Sequence, residues 1–267
     1  MNIQTRSTPA QGLPDYSELS HGVCRRLWTV HDLERMAAIG ILHEDDHTEL
    51  IHGRVIVKDP RPDGSKTFPP PVPWPDDLPP DLAEGVHGRR WTADELERLT
   101  RAQIIGRNER VELVGGEIVT MAAKGARHEI LRNDLFAQWV RQLPNDLKLR
   151  SETPLRLAPR EEPEPDLILH PTSISLPDVR GDTVLLVVEV SDWSLSYDLE
   201  VKSLLYASIG VREYWVIDAK TLTTTVFQRP GSGTTGYASR HEAPGSIQVV
   251  PAAAPALAIR LADLSLD

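Results

Sequence analysis

The sequence predicts an α/β protein: a mixed central β-sheet flanked by helices, with an accessory repeat at the N-terminus. Three observations carry this reading. Val184–Val190 (VLLVVEV) is a nearly all-apolar β run, the pattern of a central strand buried on both faces. From Trp91 onward, helix and strand patterns follow one another in the order α-β-β-α-β-β-β-α-β-β-β-β, too interleaved for separate helical and sheet domains. Finally, Trp28–Val57 (WTVHDLERMAAIGILHEDDHTELIHGRVIV) aligns without a gap on Trp91–Thr120 (WTADELERLTRAQIIGRNERVELVGGEIVT).

The repeat sets the domain boundaries. Residues 1–58 read as an N-terminal extension carrying the first copy, with residues 1–20 expected to be disordered. Residues 59–90 hold nine of the chain's 22 prolines and read as a linker. Residues 91–267 form the main domain. Only the second copy runs on into further elements, so the first is expected to be dispensable for the core.

Within the main domain, Thr92 and Glu95 have capping-box spacing ahead of Leu96 and Leu99 on one helical face. Val111–Val114 and Glu117–Met121 flank Gly115-Gly116, a hairpin signal. Leu131, Leu135 and Trp139 recur every four residues and predict an amphipathic helix over 126–143. Strands are expected at Leu147–Leu157 and Asp166–His170. A helix is expected at Asp198–Ile209, capped by Gly210. A second hairpin falls at Glu213–Asp218 and Leu222–Gln228, and two short strands lie near Ile247–Val250 and Leu257–Leu261. Arg180-Gly181-Asp182 reads as a turn.

Composition narrows the function. Hydrophobic residues make up 40% and charged residues 25% of the chain, and no apolar run is long enough to span a bilayer. The N-terminus has no apolar signal-peptide core, and a single cysteine, Cys24, fits a reducing cytoplasm. The net charge of −10 argues against coating nucleic acid by bulk electrostatics. It leaves room for an enzyme that holds metal with carboxylates. No phosphate-binding glycine loop, nucleophile elbow or paired-cysteine zinc pattern occurs. His43 and His47 lie in an acidic, turn-like segment and read as a solvated loop. Arg127, Arg132 and Arg141, on or near the long helix, are candidate phosphate contacts.

Three residues point to chemistry. Pro165-Asp166 opens one strand, Glu189 sits near the end of the buried strand, and Lys202 lies in the helix that follows. Two carboxylates on neighbouring strands can share a hard cation such as Mg²⁺. A lysine beside them can orient water or stabilise charge building on phosphorus. Glu189 in particular needs a partner, because an unpaired buried charge is costly.

The segments ERVELVGGEIVTMAAKGARHEIL, PEPDLILHP and LLVVEVSDWSLSYDLEVKSLLYASIGVREYWVID resemble the Uma-two family of putative restriction endonucleases, over about residues 91–265. That family belongs to the PD-(D/E)XK nuclease superfamily, so the resemblance implies a restriction-endonuclease-like sheet and metal-dependent hydrolysis of DNA. It also implies that Asp166 and Glu189 are the metal-binding acids, with Mg²⁺ as cofactor and Mn²⁺ as a substitute. The usual pattern places a lysine two residues after the acid, where this chain has Ser191; the resemblance points instead to Lys202. Glu112 matches a further acid of the family's first hairpin, and His128 a histidine of its first long helix. The expected partner is DNA, with no membrane role and with homodimerisation left open. Removal of Lys202 is expected to slow turnover with little change in melting temperature.

Overall fold

The structure is a computed structural model that describes residues 23–58, 86–121, 123–231 and 236–266. The expected disorder of residues 1–20 and most of the linker lie outside the described residues. The last linker residues do not: Val86–Gly88 form a strand.

Each copy of the duplicated segment builds a short helix followed by a hairpin. The first gives α1 (Val30–Ala38), β2 (Thr48–Ile51) and β3 (Arg54–Lys58); the second gives α2 (Ala93–Arg101), β5 (Val111–Val114) and β6 (Glu117–Thr120). Thr29 with Asp32, and Thr92 with Glu95, close capping boxes that satisfy the first amides of each helix. Both hairpins turn on paired residues with positive φ, His52-Gly53 (48° and 76°) and Gly115-Gly116 (60° and 77°). Such a two-residue turn matches the twist of the strands it joins, and glycine takes the second position without strain.

Each hairpin receives its third strand from the segment that precedes the other copy. β1 (Cys24–Arg25) pairs antiparallel with β6, and β4 (Val86–Gly88) pairs antiparallel with β3. Trp28, Leu33, Met36, Ile41, Leu42 and Val55 pack in one apolar cluster with Trp91, Leu96, Leu99, Ile104, Ile105, Leu113 and Ile118. The first copy therefore shares this cluster with the second, while the two clusters on either side of the main sheet hold none of its residues. Its removal would bare the second copy's half of the shared cluster.

The main sheet is six-stranded and mixed, in the order β12-β11-β10-β9-β8-β7. Its strands are β7 (Leu147–Ser151), β8 (Leu167–Pro171), β9 (Leu186–Ser191), β10 (Glu213–Asp218), β11 (Thr224–Pro230) and β12 (Tyr237–Ala243). Only β9 and β10 run parallel. As the apolar run predicts, β9 is buried along its whole length. Val188 and Val190 face the long helix α3 (Ala126–Gln142), which brings Leu131, Leu135 and Trp139 onto that side. Val187 faces the opposite layer with Tyr206 and Tyr214. That layer is a helix made of α4 (Leu195–Tyr197), a π turn (Asp198–Lys202) and α5 (Ser203–Ser208). Its Tyr197, Val201 and Leu205 pack in turn on Val114 and Val119 of the second hairpin.

Several boundaries differ from expectation. The strand predicted over Leu147–Leu157 stops at Ser151, where Glu152 turns the chain with φ 46°. The two tail strands reduce to one bridge between Val249 and Ile259, with 3₁₀ turns at Pro255–Leu257 and Leu261–Asp263. The sequence reading missed β12 because this strand, YASRHEA, is an edge with mostly polar, partly exposed side chains and no apolar run.

Among the described glycines, Gly181 leaves least room for a side chain. It opens a 3₁₀ turn against the end of α5, and a Cβ on it would lie 2.1 Å from the carbonyl oxygen of Ile209. Because that obstacle is backbone, side-chain rotation cannot relieve it. Gly181→Ala is expected to cost about 1–3 kcal/mol, read as a lower urea midpoint. An unchanged midpoint would mean that the turn can move away from the helix.

Candidate active site

The register of the main sheet assembles the site. β8 and β9 pair Leu167 with Val188, so one step further along the ladder Asp166 meets Glu189. The Asp166 amide donates to Glu189 Oε2 at 3.4 Å, and the Val190 amide donates to Asp166 Oδ2 at 2.8 Å. Glu189 alternates with Val188 and Val190, so its side chain points toward the helix of residues 195–208. Lys202 comes down from the π turn of that helix. Its ammonium donates to Glu189 Oε1 at 2.8 Å and to Glu112 Oε1 at 3.1 Å.

Asp166, Glu189, Lys202 and Glu112, all singled out from the sequence, thus meet in one place. Glu112, on β5, also accepts the amide of Glu164 at 3.0 Å, which pins the segment leading into Asp166. Its other oxygen, Oε2, is buried without a hydrogen-bond partner. Asp198, Lys202 and Tyr206, spaced four residues apart, turn to the same acids: Tyr206 donates to Glu189 Oε1 at 2.9 Å, and Asp198 Oδ1 lies 4.0 Å from the Lys202 ammonium. Ser191, at the usual lysine position, donates instead to Asp198 Oδ2 at 2.5 Å.

Three findings go beyond or against the sequence reading. Lys124, which it missed, donates to Asp166 Oδ1 and to Glu152 Oε1, each at 2.7 Å. The available signal was its position four residues before His128, whose Nε2 lies 2.8 Å from Asp166 Oδ2. Arg132 is buried and engaged with Ser151 and Glu129, so it does not present its charge to a phosphate; Arg127 and Arg141 are exposed. Lys202 is only 1% exposed, which changes what its removal would do.

The two acids sit one ladder step apart but titrate in opposite directions. Burial pushes Asp166 up, yet the hydrogen bond and charge of His128 and the charge of Lys124 outweigh it and hold the carboxyl at about 2. Burial raises Glu189 to about 8; Lys202 counters this, while Asp166, Asp198 and Glu112 add to it. Burial also raises Glu112 and Asp198, each partly offset by Lys202. The Lys202 ammonium is lowered by burial but held well above its ordinary value by Glu112 and Glu189.

The donors available to a metal are carboxylate oxygens, the set a hard divalent cation prefers. Four buried carboxylates, Glu112, Asp166, Glu189 and Asp198, face two ammonium groups, and the orphaned Glu112 Oε2 marks unmet demand for positive charge. Among the described residues no three His, Cys, Asp or Glu side chains form a ready ligand group. An ion here would rest on two protein carboxylates and complete its shell with water. The residues fit such an ion.

Residues 93–262 match the Uma2 family, described as "Putative restriction endonuclease", and the chain belongs to that family. The fold is also similar to the crystal structure of a putative nuclease belonging to DUF820 from Anabaena variabilis. The TM-score is 0.52 at 16% identity, over 64% of this chain and 96% of the other. No curated protein matches the sequence. Among the described residues no helix is long and apolar enough to cross a membrane.

The burial of Lys202 argues against the expectation that its loss would change the melting temperature little. Truncating one partner of a buried ion pair strands the other, at a typical cost of about 3–5 kcal/mol. Lys202→Met should therefore lower stability by that order in urea unfolding. Adding Glu189→Gln should recover part of the loss, because it replaces an acid that without its ammonium partner must take up a proton or stay charged in a buried place. A Lys202→Met protein as stable as the parent would show that water reaches these acids.

Proposed function

We propose that the chain is a Mg²⁺-dependent endonuclease of the cytoplasm that hydrolyses DNA phosphodiester bonds, with Mn²⁺ able to substitute. The convergence of Asp166, Glu189 and Lys202 in one cleft, in a chain of this family, is the observation that supports the reading most directly. Asp166 and Glu189 would hold the ion. When bound, the ion supplies charge to a phosphate oxygen and lowers the pKa of a bound water.

The chain's own groups then have distinct roles. Lys202 fixes Glu189 and Glu112 in position and favours their ionised forms against burial. Tyr206 holds Glu189 Oε1 from the other side, and His128 orients Asp166. Lys124 would have to release Asp166 Oδ1, and its ammonium is then free to stabilise charge developing on the phosphate. Trp193 lines the same cleft, is 71% exposed, and carries the Lys220 ammonium 4.3 Å from its ring centroid. An exposed indole paired with a cation suits stacking on a nucleobase.

The test is cleavage of supercoiled plasmid DNA with Mg²⁺ or Mn²⁺. Cleavage should stop in EDTA, and Asp166→Asn should slow it by about 10²-fold or more. Trp193→Ala should weaken DNA binding by about 1–3 kcal/mol while leaving the metal requirement unchanged. If Asp166→Asn cleaves as fast as the parent, the site is misassigned. A second reading, a nuclease fold that binds nucleic acid without cutting it, is favoured by the saturation of both Asp166 oxygens by protein donors. It prevails if pure parent protein binds DNA but cleaves neither DNA nor RNA with either ion.

A further inference from the structure

The contacts between the two duplicated segments are reciprocal. The Arg26 amide donates to the Ile118 carbonyl at 2.8 Å, and the Arg89 amide to the Val55 carbonyl at 2.7 Å. Val55 aligns with Ile118, and Arg26 and Arg89 stand at the same offset, two residues before the aligned tryptophans. The side chains repeat the exchange. Arg26 Nη2 donates to Ile104 O at 2.9 Å and Arg89 Nη2 to Ile41 O at 3.1 Å; Arg35 Nη2 donates to Ala102 O at 2.6 Å and Arg98 Nη2 to Ile39 O at 2.5 Å. Arg26 reaches Glu109 at 2.8 Å, and Arg89 reaches the matching Asp46 at 3.8 Å. Trp28 and its counterpart Trp91 meet each other, with ring centroids 5.0 Å apart.

This pattern, in which residue i of one copy touches residue j of the other and j touches i, defines an isologous two-fold interface. Such a face is self-complementary. The second copy carries the same arginines, tryptophan and apolar positions as the first, so two second copies could make the same contact. In this chain the first copy already occupies that face. Covalent linkage favours it over a partner in solution, since short tethers give effective concentrations on the order of millimolar. Glu49, the counterpart of Glu112, is followed by nothing that corresponds to Asp166, Glu189 or Lys202 before the second copy begins.

We propose that residues 23–58 are an internal substitute for a second subunit. They fill the self-complementary face of residues 86–121, so that one chain forms a closed pseudo-dimer with a single active site and cuts one strand of a duplex per encounter. The strand-cutting half rests on the nuclease reading; the internal-partner half does not.

Two measurements on the full chain separate these halves. Light scattering across micromolar concentrations should give the mass of one chain. Supercoiled plasmid with Mg²⁺ should pass first to the nicked circle, at a rate proportional to protein concentration, with linear DNA appearing only after a second, independent nick. Met36→Asp, which places a charge in the shared apolar cluster, should release the first copy and roughly double the mass as freed second-copy faces pair. A parent that is already dimeric overturns the internal-partner half. Linear DNA as the first product, or a rate that rises with the square of protein concentration, overturns the single-site half. A monomer that cuts no nucleic acid sinks the nuclease reading together with the single-site half, and upholds the internal partner by its mass. A Met36→Asp protein that folds and stays monomeric counts against the self-complementary face; if it fails to fold, the two measurements on the parent decide.

Discussion

The ammonium of Lys202 is the point through which the rest of the structure is joined. It lies between two sheets that share no ladder of their own. Glu189 belongs to the centre of the six-stranded sheet and Glu112 to the small hairpin sheet. A cation with almost no access to water must be matched by charge, and here each sheet supplies one carboxylate. The helix that carries Lys202 is thereby fixed on both sides. Glu112 also holds the amide of Glu164, so the same ion cluster positions the chain entering Asp166.

Around that cation, the site divides its acids by what surrounds them. Asp166 has a histidine, an ammonium and a backbone amide on its two oxygens, enough to outweigh burial. For Glu189, burial and three neighbouring acids outweigh the Lys202 ammonium, and its carboxyl is pushed up to about 8. Two carboxylates in contact yet pushed so far apart show how strongly their separate surroundings tune them.

Much of this was legible in the sequence, for identifiable reasons. The VLLVVEV run announced a strand buried on both faces, and an acid inside it had to have a partner. The spacing of Asp198, Lys202 and Tyr206 put that partner on one helix face, and the π turn of residues 198–202 did not disturb it. Lys124 was missed because it lies in a loop whose position is set by the start of α3 and not by any period; only its spacing from His128 hinted at it. The depth at which Lys202 is buried was also hidden. A lysine near an aspartate four residues away reads as a solvated pair until the hairpin is packed over it. Polar β12 was missed because edge strands do not carry the apolar pattern that central strands do.

The exchange of β1 and β4 between the two hairpins has a consequence for how the chain acquires its shape. As the polypeptide is made, β4 can join β3 as soon as it emerges, but β1 must wait for β6, on the far side of both helix–hairpin units. Closing that long loop costs chain entropy before any contact repays it, so the β1–β6 pairing belongs to the slow, non-local part of folding. Once it is made, neither hairpin can fray without taking an edge strand from the other. The two copies then open and close as one cooperative unit, and the hairpin that holds Glu112 borrows its rigidity from a segment that carries no catalytic group.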